Sequence, residues 1–434
     1  MNDMLENLAQ VETFDQGLSF RENKRFGGIS CRITTEKAMD RLSMASSSLL
    51  SRITSLSFSG IGHEHITAWL SPRFIGLREL SVTGAGLSAR GSAWSHGCNV
   101  IQMTMEHSDD FFDHITNYKN LRVLRLANNR LSNRGLSYLR GLDNLEGLDL
   151  SGNEISSLAS LSGFSSLKRL NLSNNKITGV GIGGLEYLHN LETLNLSGNP
   201  LSTNFGYNDS GHLSKQTPKL VNLSVANCGL ASVEFLSAHQ SLQKLVVSRN
   251  PNMIGLGKAV DRLNYLYSLE AVGVTLSDDC AGYLSAKRTL VKLDLRRTVG
   301  ALGVVNSIGS LLRLNTLRID GVDAEQAANI TNLGCLERLT LNNGGMGNGG
   351  AAKISQLSGL THLSLSNQQL DDGAVSHLAK LKRLRSLNLS HNALRGMTIG
   401  QLSGLRGLAK LTLISNPLEI RDAQGFKGTV RILY

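Results

Sequence analysis

Leucines recur along most of this chain in a pattern that fits neither a long helix nor a plain strand. In the segment LRSLNLSHNAL, residues 384–394, Leu387 and Leu389 alternate with polar residues as in a short strand, and the chain then turns at Asn392. A helix would instead place apolar residues at intervals of three and four. The segment therefore predicts a short strand that ends in a turn.

The same arrangement recurs in about sixteen copies, most of them about 21 to 24 residues apart. Clear copies keep the leucines and, except for the copy from Leu220, the asparagine. Degenerate copies keep only the leucines, and faint copies lie towards the amino terminus. The clear copies start at Leu121, Leu145, Leu167, Leu191, Leu220, Leu242, Leu384 and Leu408, the degenerate ones at Leu269, Leu290, Leu314, Leu336 and Leu360, and the faint ones at Ile53, Leu77 and Cys98.

The alternation within each copy separates two sets of side chains. Leu384, Leu387 and Leu389 point towards a core, whereas Ser386 and Asn388 project from the opposite face of the strand. A single repeat cannot bury its leucines alone, so neighbouring repeats must stack to bury them.

This spacing resembles that of leucine-rich repeat proteins over roughly residues 53 to 418. The resemblance implies an α/β fold, a curved solenoid or horseshoe, with a parallel sheet on the concave side and short helices or turns on the convex side. It also implies that the asparagine side chain bonds the backbone of the neighbouring turn. Cys228 stands at that asparagine position as a substitute.

The second half of each copy indicates the subtype, because leucines or alanines follow a glycine at helical spacing. This form is similar to the GALA-type repeats of bacterial type III effectors, which implies delivery into a eukaryotic host cell. That family usually adds an amino-terminal F-box, but no Leu-Pro start is visible in the first fifty residues, so ubiquitin-ligase recruitment is not expected. Examples are the segments at residues 135–144, 181–190, 373–383 and 398–407.

The ends of the chain lack the repeat, and terminal units of a solenoid must cap exposed leucines. We therefore predict a flexible start and cap over residues 1–52, the solenoid over 53–418 and a second cap over 419–434, where FKGTVRILY reads as a closing strand or turn.

Compartment signals favour a cytoplasmic protein, or one secreted into a host cell without a cleaved signal peptide. No apolar run reaches eighteen positions, and the acidic start MNDMLENLAQ does not resemble a signal peptide. The cysteines are odd in number and widely spaced, which favours reduced thiols: Cys31, Cys98, Cys228, Cys280 and Cys335.

A net charge of +10 raises the question of nucleic-acid binding. The distribution argues against it, since charged residues are 18% of the chain, no Lys/Arg run exceeds two, and aromatic residues are 5%.

Candidate chemistry is sparse, so we expect neither an enzyme nor a cofactor or metal site. The histidines of HEH, residues 63–65, lack a further ligand pair, and the acidic segment EHSDDFFDH, residues 106–114, reads as a solvated loop. The glycine-rich segment NNGGMGNGGAAK, residues 342–353, lacks the Gly-Lys-Ser/Thr ending of a phosphate loop.

One run of repeats departs from the small polar side chains that the outward positions otherwise carry. Its ladder asparagine is replaced by Ser277, Thr298, Val322, Gly344 and Gln368, and small Ala271 and Gly273 would leave a depression. Pattern breaks concentrate at functional or strained places, although drift on a solvated face would look the same. The candidate partner-binding residues are Lys244, Arg249, Lys292, Asp294, Arg296, Arg297, Arg318, Asp320 and Arg338.

A long spacing between Leu191 and Leu220 inserts residues 203–216, which place two aromatic residues in a loop. Phe205 and Tyr207 either anchor a partner or pack against their own repeat.

These observations predict a scaffold for protein recognition that binds an acidic partner, in one reading a bacterial effector that binds a host protein. The alternatives are an endogenous intracellular regulator or adaptor, and a surface adhesin. The sequence does not specify the oligomeric state.

Overall fold

A computed structural model describes residues 18–25, 28–43, 45, 47–59, 74, 77–83, 118–201, 217–396, 398–418, 426 and 431–433. The chain divides into two compact units, Met1–Cys228 and Gly229–Tyr434. Because each unit has its own sheet strands and buried leucines, the two are described in turn.

Unit 1 begins with a hairpin and continues as a row of parallel strands. The first two strands are antiparallel, and each later strand pairs in parallel with the one before it. The strands are β1 (Leu18–Glu22), β2 (Ile29–Ile33), β3 (Ile53–Ser59), β4 (Glu79–Thr83), β5 (Val123–Arg125), β6 (Gly147–Asp149), β7 (Arg169–Asn171), β8 (Thr193–Asn195) and β9 (Asn222–Ser224).

Unit 2 consists of parallel strands throughout, each paired with the next along the chain. The strands are β10 (Lys244–Val246), β11 (Ser268–Glu270), β12 (Lys292–Leu295), β13 (Thr316–Asp320), β14 (Arg338–Asn342), β15 (His362–Ser364), β16 (Ser386–Asn388), β17 (Lys410–Thr412) and β18 (Arg431–Leu433).

Short helical segments connect successive strands, as the glycine-led second halves of the repeats predict. The α-helices are α1 (Glu36–Ser43), α2 (Ser47–Arg52), α3 (Asn133–Tyr138), α4 (Leu256–Arg262), α5 (Cys280–Ala286), α6 (Ala301–Val305), α7 (Ala327–Ile330), α8 (Gly347–Ile354) and α9 (Asp372–Leu378). The 3₁₀-helices are Ala159–Gly163, Gly179–Tyr187, Glu234–Ala238, Ile308–Ser310 and Ile399–Gly404.

The leucines of each repeat form the core, which confirms their predicted inward placement. Leu384, Leu387 and Leu389 are fully buried, and Leu387 stands in register with Leu363 and Leu411 on the adjacent strands. Leu387 is therefore buried between two leucines of the adjacent strands. This column of packed side chains repeats along each unit.

The asparagine of the repeat holds adjacent turns together, as the resemblance implies. The Oδ1 atom of Asn153 accepts from the backbone N–H groups of Asn129 and Leu131, at 3.0 and 2.9 Å. Its Nδ2 atom donates to the carbonyls of Leu126 and Leu150, at 2.9 and 2.7 Å. The side chain thus satisfies buried backbone groups of two successive repeats.

Cys228 fills the same position in its repeat, as the sequence predicts. Its Sγ atom lies 3.3 Å from the carbonyl oxygens of Leu196 and Ala226. A thiol is a weaker donor than an amide, so this repeat keeps the arrangement with weaker hydrogen bonds.

The register of one repeat differs from the prediction by three residues. Leu269 pairs with Leu245 and Leu293, so it occupies the central position of its strand, and the repeat starts at Leu266. The apolar residues Leu269, Val272 and Val274 also fit the leucine spacing, which explains the error.

The corrected register changes what this repeat displays. Ala271 is buried in the core and Gly273 adopts a left-handed conformation at the turn, with φ of +66°. The predicted depression at these two residues was therefore wrong. The outward side chains are those of Ser268 and Glu270, and the ladder position belongs to Val274, not Ser277.

Strand pairing also bears on the faint copy at Cys98. Glu79 and Leu80 of β4 pair directly with Val123 and Leu124 of β5. Cys98 itself falls outside the described residues.

Candidate binding surface

The first outward side chains of unit 2 form a row in which most members are basic or imidazole. Lys244, Lys292 and Arg338 are exposed, and each is separated from the next by one strand that carries a small hydroxyl residue. Because adjacent strands lie about 4.8 Å apart, these cations stand about 10 Å apart. The first outward row comprises Lys244, Ser268, Lys292, Thr316, Arg338, His362, Ser386 and Lys410.

Lys244, Lys292 and Arg338 form no ion pair with any residue in the described part of the chain. The positive charge of Arg338 affects the pKa of the next member of the row, His362. Burial lowers the pKa of His362, and Arg338 and Arg385 lower it further, against an opposing effect of Glu337. The row therefore favours anions over additional cations.

The second outward row of unit 2, which includes Val246, Glu270, Asp294 and Arg318, contains a buried carboxylate that binds two of the predicted arginines. Asp294 has a side chain 10% exposed. Arg296 donates to it through Nε and Nη2, at 2.9 and 2.8 Å, and Arg318 donates through Nη1 at 3.3 Å. The bond to Asp294 raises the pKa of Arg296, against an opposing effect of burial. Arg296 and Arg318 therefore neutralise Asp294 and contribute less net charge to the surface than the sequence suggests.

Asp320 has a different role, because it fixes a turn. Its Oδ2 atom accepts from the backbone N–H of Arg297 at 3.0 Å. Its Oδ1 atom is buried and has no hydrogen-bond partner among the described residues. Asp320 thus ties the end of β12 to β13.

Glu270 is a member of the surface that the sequence analysis missed. Its register partner on the next strand is Asp294, and Ser248 Oγ donates to its Oε1 at 3.3 Å. The three-residue slip in the predicted register had assigned Ala271 and Gly273 to the outward face, which hid this carboxylate. The surface therefore combines basic side chains with Glu270, Asp294 and Asp320.

Arg249 and Arg297 lie at the turn that follows the strand, in the left-handed region with φ of +60° and +55°. The equivalent position elsewhere carries asparagine, such as Asn128 and Asn174, with φ of +59° and +55°. Asparagine tolerates this conformation better than arginine does. Both arginines are exposed, so burial of apolar surface does not offset the conformational free energy that their left-handed backbone costs.

We expect Arg297→Asn to raise the free energy of unfolding by about 0.5–1 kcal/mol, because asparagine relieves that cost. The backbone N–H that bonds Asp320 is unchanged by the substitution. Chemical denaturation followed by circular dichroism measures the change. Arg288→Asn removes an exposed arginine outside the left-handed region and should give no gain, whereas an equal gain in both variants would contradict the explanation.

The ladder is interrupted beneath this surface. Thr298 Oγ1 donates to the carbonyl of Ala271 at 2.7 Å, and Gln368 Nε2 donates to that of Leu341 at 2.9 Å. Val274, Val322 and Gly344 carry no side-chain donor at the same position. The repeats under the candidate surface are therefore joined by fewer side-chain bonds than those around Asn153.

The other sequence candidates lie elsewhere. Phe205 and Tyr207, the histidines of residues 63–65 and the acidic segment 106–114 fall outside the described residues. Within the described residues, no cluster of three histidine, cysteine or acidic side chains could hold a metal ion. Of the described helices, none is long and apolar enough to cross a bilayer.

Three of the four cysteines that the structure describes are buried. Among the residues that the structure describes, Cys31, Cys228 and Cys280 are buried free thiols, and Cys335 is exposed. Burial raises the pKa of Cys31 and of Cys280 to about 12 and that of Cys228 to about 11. These three thiols stay protonated at neutral pH and serve as packing groups.

Parallel strands with buried leucine columns, short connecting helices and an asparagine ladder together define the leucine-rich repeat fold. A family model described as leucine rich repeat matches residues 119–177 and 358–418, and a model of two leucine rich repeat copies matches residues 165–209. The matches identify leucine-rich repeats without distinguishing the GALA-type subtype.

Solved structures agree on the fold. A leucine-rich repeat protein of Leptospira interrogans is 20% identical, with a TM-score of 0.56, and the match covers 93% of this chain and 100% of that one. TLR13, solved in a complex with ssRNA13, is 19% identical, with a TM-score of 0.52, and the match covers 90% of this chain and 58% of that one. The comparison with curated proteins gives no match.

Proposed function

We propose that the chain is a recognition scaffold that binds an acidic protein surface through the first outward row of unit 2. Leucine-rich repeat proteins are generally scaffolds for protein–protein interaction. The observation that carries the proposal is the spacing of Lys244, Lys292 and Arg338, which are exposed and form no ion pair in the described part of the chain. A partner that carries carboxylates at a similar spacing would complement them.

The neighbouring row supports the same function in a different way. Asp294 holds Arg296 and Arg318 against the sheet, so these two guanidinium groups stand in fixed positions beside the first outward row. Fixed donors lose less side-chain entropy on binding than mobile ones. The lysines and Arg338 then supply the net attraction, while Arg296 and Arg318 supply oriented donors.

The surface also predicts how binding depends on salt. Lys244 and Lys292 are exposed, and exposed charges are screened within about 8 Å at physiological ionic strength. Association with an acidic partner should therefore slow as salt is added, while dissociation changes less. A complex that is insensitive to salt would be held by contacts other than this row.

We test the row with a double charge reversal, Lys292→Glu with Arg338→Glu. Partner affinity should fall by at least about tenfold, because two attractive contacts become repulsive. Partners are first captured on the wild-type chain from nuclease-treated lysate, and the purified partner is then titrated by calorimetry. Undiminished affinity in the folded double variant would reject the first outward row as the binding surface.

A matched control carries the same change of charge away from the row. Lys380 and Arg383 are exposed in the turn between α9 and β16. Lys380→Glu with Arg383→Glu should leave partner affinity unchanged. Reversal at Arg296 and Arg318 is a poorer test, because it would place new carboxylates beside buried Asp294 and threaten folding.

The setting of the interaction follows from where the partner is found. We propose a partner in a eukaryotic host cell, as the similarity of the repeats to those of bacterial effectors implies. Capture from host lysate, lost in the Lys292→Glu, Arg338→Glu double variant, supports the effector function. Capture of an equally row-dependent partner from bacterial lysate alone would favour an endogenous regulator or adaptor instead.

A further inference from the structure

Unit 1 contains a pocket on the outward side of its strands, well separated in sequence from the surface of unit 2. Its volume is about 300 Å³, and strands β5 to β8 form its floor. Three arginines contribute to its walls: Arg25 from the turn between β1 and β2, Arg125 from β5 and Arg169 from β7. Asp149 of β6 is the one carboxylate in the lining.

Guanidinium groups outnumber carboxylates in the lining of this arginine pocket. Arg125 forms an ion pair with Glu79 of β4, whose carboxylate does not line the pocket. The Oδ1 atom of Asp149 accepts from the backbone N–H and the hydroxyl of Ser151, at 3.0 and 2.7 Å. The lining therefore contains three guanidinium groups and one carboxylate, and one oxygen of that carboxylate is bound by a turn.

The neighbouring guanidinium groups affect the pKa of Arg125. Burial lowers the pKa of Arg125, and the charges of Arg25 and Arg169 lower it further, against the opposing effect of Asp149. An anion in the pocket would relieve this repulsion.

The guanidinium of Arg169 is the least satisfied of the three. Its Nη2 atom is buried and has no hydrogen-bond partner within the described residues. It lies over Gly147, where an added Cβ would stand 3.4 Å from Arg169 Nη2 and 3.6 Å from Val123 Cγ2. The absence of a side chain at Gly147 leaves room for this guanidinium above the strand. An unpaired buried donor is costly, and an acceptor in the pocket would offset that cost.

Two uncharged lining residues, Asn171 and Asn195, add N–H donors to those of the arginines. Asn171 Oδ1 accepts from Ser173 N at 3.2 Å, and Asn195 Oδ1 accepts from Ser197 N at 3.1 Å. Their oxygens are therefore used at the strand ends, and each carboxamide keeps an NH₂ group for the pocket. Apart from Asp149, the polar lining is thus composed mainly of donors.

We propose that this pocket binds an oxyanion, a carboxylate or phosphate group held by Arg169, Arg125 and Arg25. Guanidinium groups match the paired oxygens of such anions in geometry and charge. The volume suits one small anion or one acidic side chain of a peptide. The proposal concerns unit 1 and is independent of the acidic partner proposed for the first outward row of unit 2.

Calorimetric titration of the full chain with inorganic phosphate, with succinate and with a Glu-containing peptide tests the proposal. We expect saturable binding of at least one probe, with a Kd at or below about 1 mM. Binding of the Glu peptide but not of its Gln counterpart identifies an acidic side chain as the source, whereas binding of phosphate or succinate identifies a free anion. No saturable binding of any probe up to about 10 mM overturns the proposal.

Two variants separate the pocket from other sites. Arg169→Gln removes the unpaired guanidinium, and Gly147→Leu fills the space while keeping every charge. Each should weaken binding at least about tenfold, equivalent to about 1.4 kcal/mol. Arg140→Gln, which removes an exposed arginine outside the lining, and Gly147→Ala, whose Cβ fits in ordinary contact, should bind as the wild type does.

Equal binding by the wild type, Arg169→Gln and Gly147→Leu would place the anion elsewhere and overturn the assignment. Thermal unfolding shows whether each variant is folded, and if Arg169→Gln does not fold, Gly147→Leu and Arg125→Gln carry the test. Failure here leaves the charge-reversal result in unit 2 unaffected, because none of these residues belongs to the first outward row.

Discussion

Replacing Leu387 with alanine should lower the free energy of unfolding by about 2–5 kcal/mol. Leu387 is fully buried at the centre of β16, in register with Leu363 and Leu411. The substitution removes apolar contacts and leaves a cavity between the leucines of the two adjacent strands, which the neighbouring repeats hold in place. Urea denaturation followed by far-ultraviolet circular dichroism measures the loss.

Leu312 provides the matched control, since it is a leucine of unit 2 that is 59% exposed. Leu312→Ala should change the free energy of unfolding by less than about 0.5 kcal/mol. A loss below about 1 kcal/mol for Leu387→Ala would contradict the packing described for β16. The comparison also shows that the sequence pattern, and not leucine content, identifies the stabilising residues.

The fold was predictable because the repeat carries two independent signals. Alternation at Leu387 and Leu389 indicates a strand, and the recurrence of the whole segment indicates stacking. The asparagine adds a third signal at Asn153, whose hydrogen bonds to two repeats require a fixed distance from the leucines. Each signal is local in sequence and is repeated, so errors at one copy do not change the architecture.

The register of a degenerate copy was not predictable from leucine spacing. The segment from Leu266 to Leu276 offers two frames, because Leu269 fits both the first and the fourth position of the pattern. Hydrogen-bond pairing with Leu245 and Leu293 selects one frame. In the absence of an asparagine, nothing within the segment itself makes that selection.

The candidate surface was predicted in part. The exposed members of the first outward row follow from strand alternation, so Lys292 and Arg338 could be assigned to a shared face. The pairing of Arg296 with Asp294 could not be predicted. It depends on the conformations of two side chains that lie two residues apart at the end of one strand. Glu270 was missed through the register error.

The arginine pocket had no sequence signal. Arg25 precedes Arg125 and Arg169 by many residues and belongs to a turn outside the repeats, so no spacing rule connects it with β5 or β7. Gly147 did not indicate a pocket either, because a glycine at the start of a repeat strand is read as a neutral substitution. Only the position of the hairpin relative to the strands brings these residues together.

The asparagine ladder should make a second large contribution to stability, which Asn153→Ala tests. We expect a loss of about 2–4 kcal/mol in the free energy of unfolding. The Asn153 side chain is 5% exposed and satisfies the N–H groups of Asn129 and Leu131 and the carbonyls of Leu126 and Leu150. Alanine removes this partner from the N–H groups of Asn129 and Leu131 and from the carbonyl of Leu126, whereas the carbonyl of Leu150 still accepts from Asn175. Leaving buried backbone groups unsatisfied costs more than the lost hydrogen bonds alone.

Two substitutions define what the asparagine contributes. Asn153→Cys should lose less than Asn153→Ala, because Cys228 shows that a thiol at this position reaches the carbonyl of the preceding repeat at 3.3 Å. Asn144→Ala removes an exposed asparagine that bonds one carbonyl and should cost less than about 0.5 kcal/mol. If Asn153→Ala and Asn144→Ala unfold at the same urea concentration, the ladder does not stabilise the repeats. If Asn153→Cys is as unstable as Asn153→Ala, Cys228 does not substitute for asparagine, and the bonds of its thiol contribute nothing to its repeat.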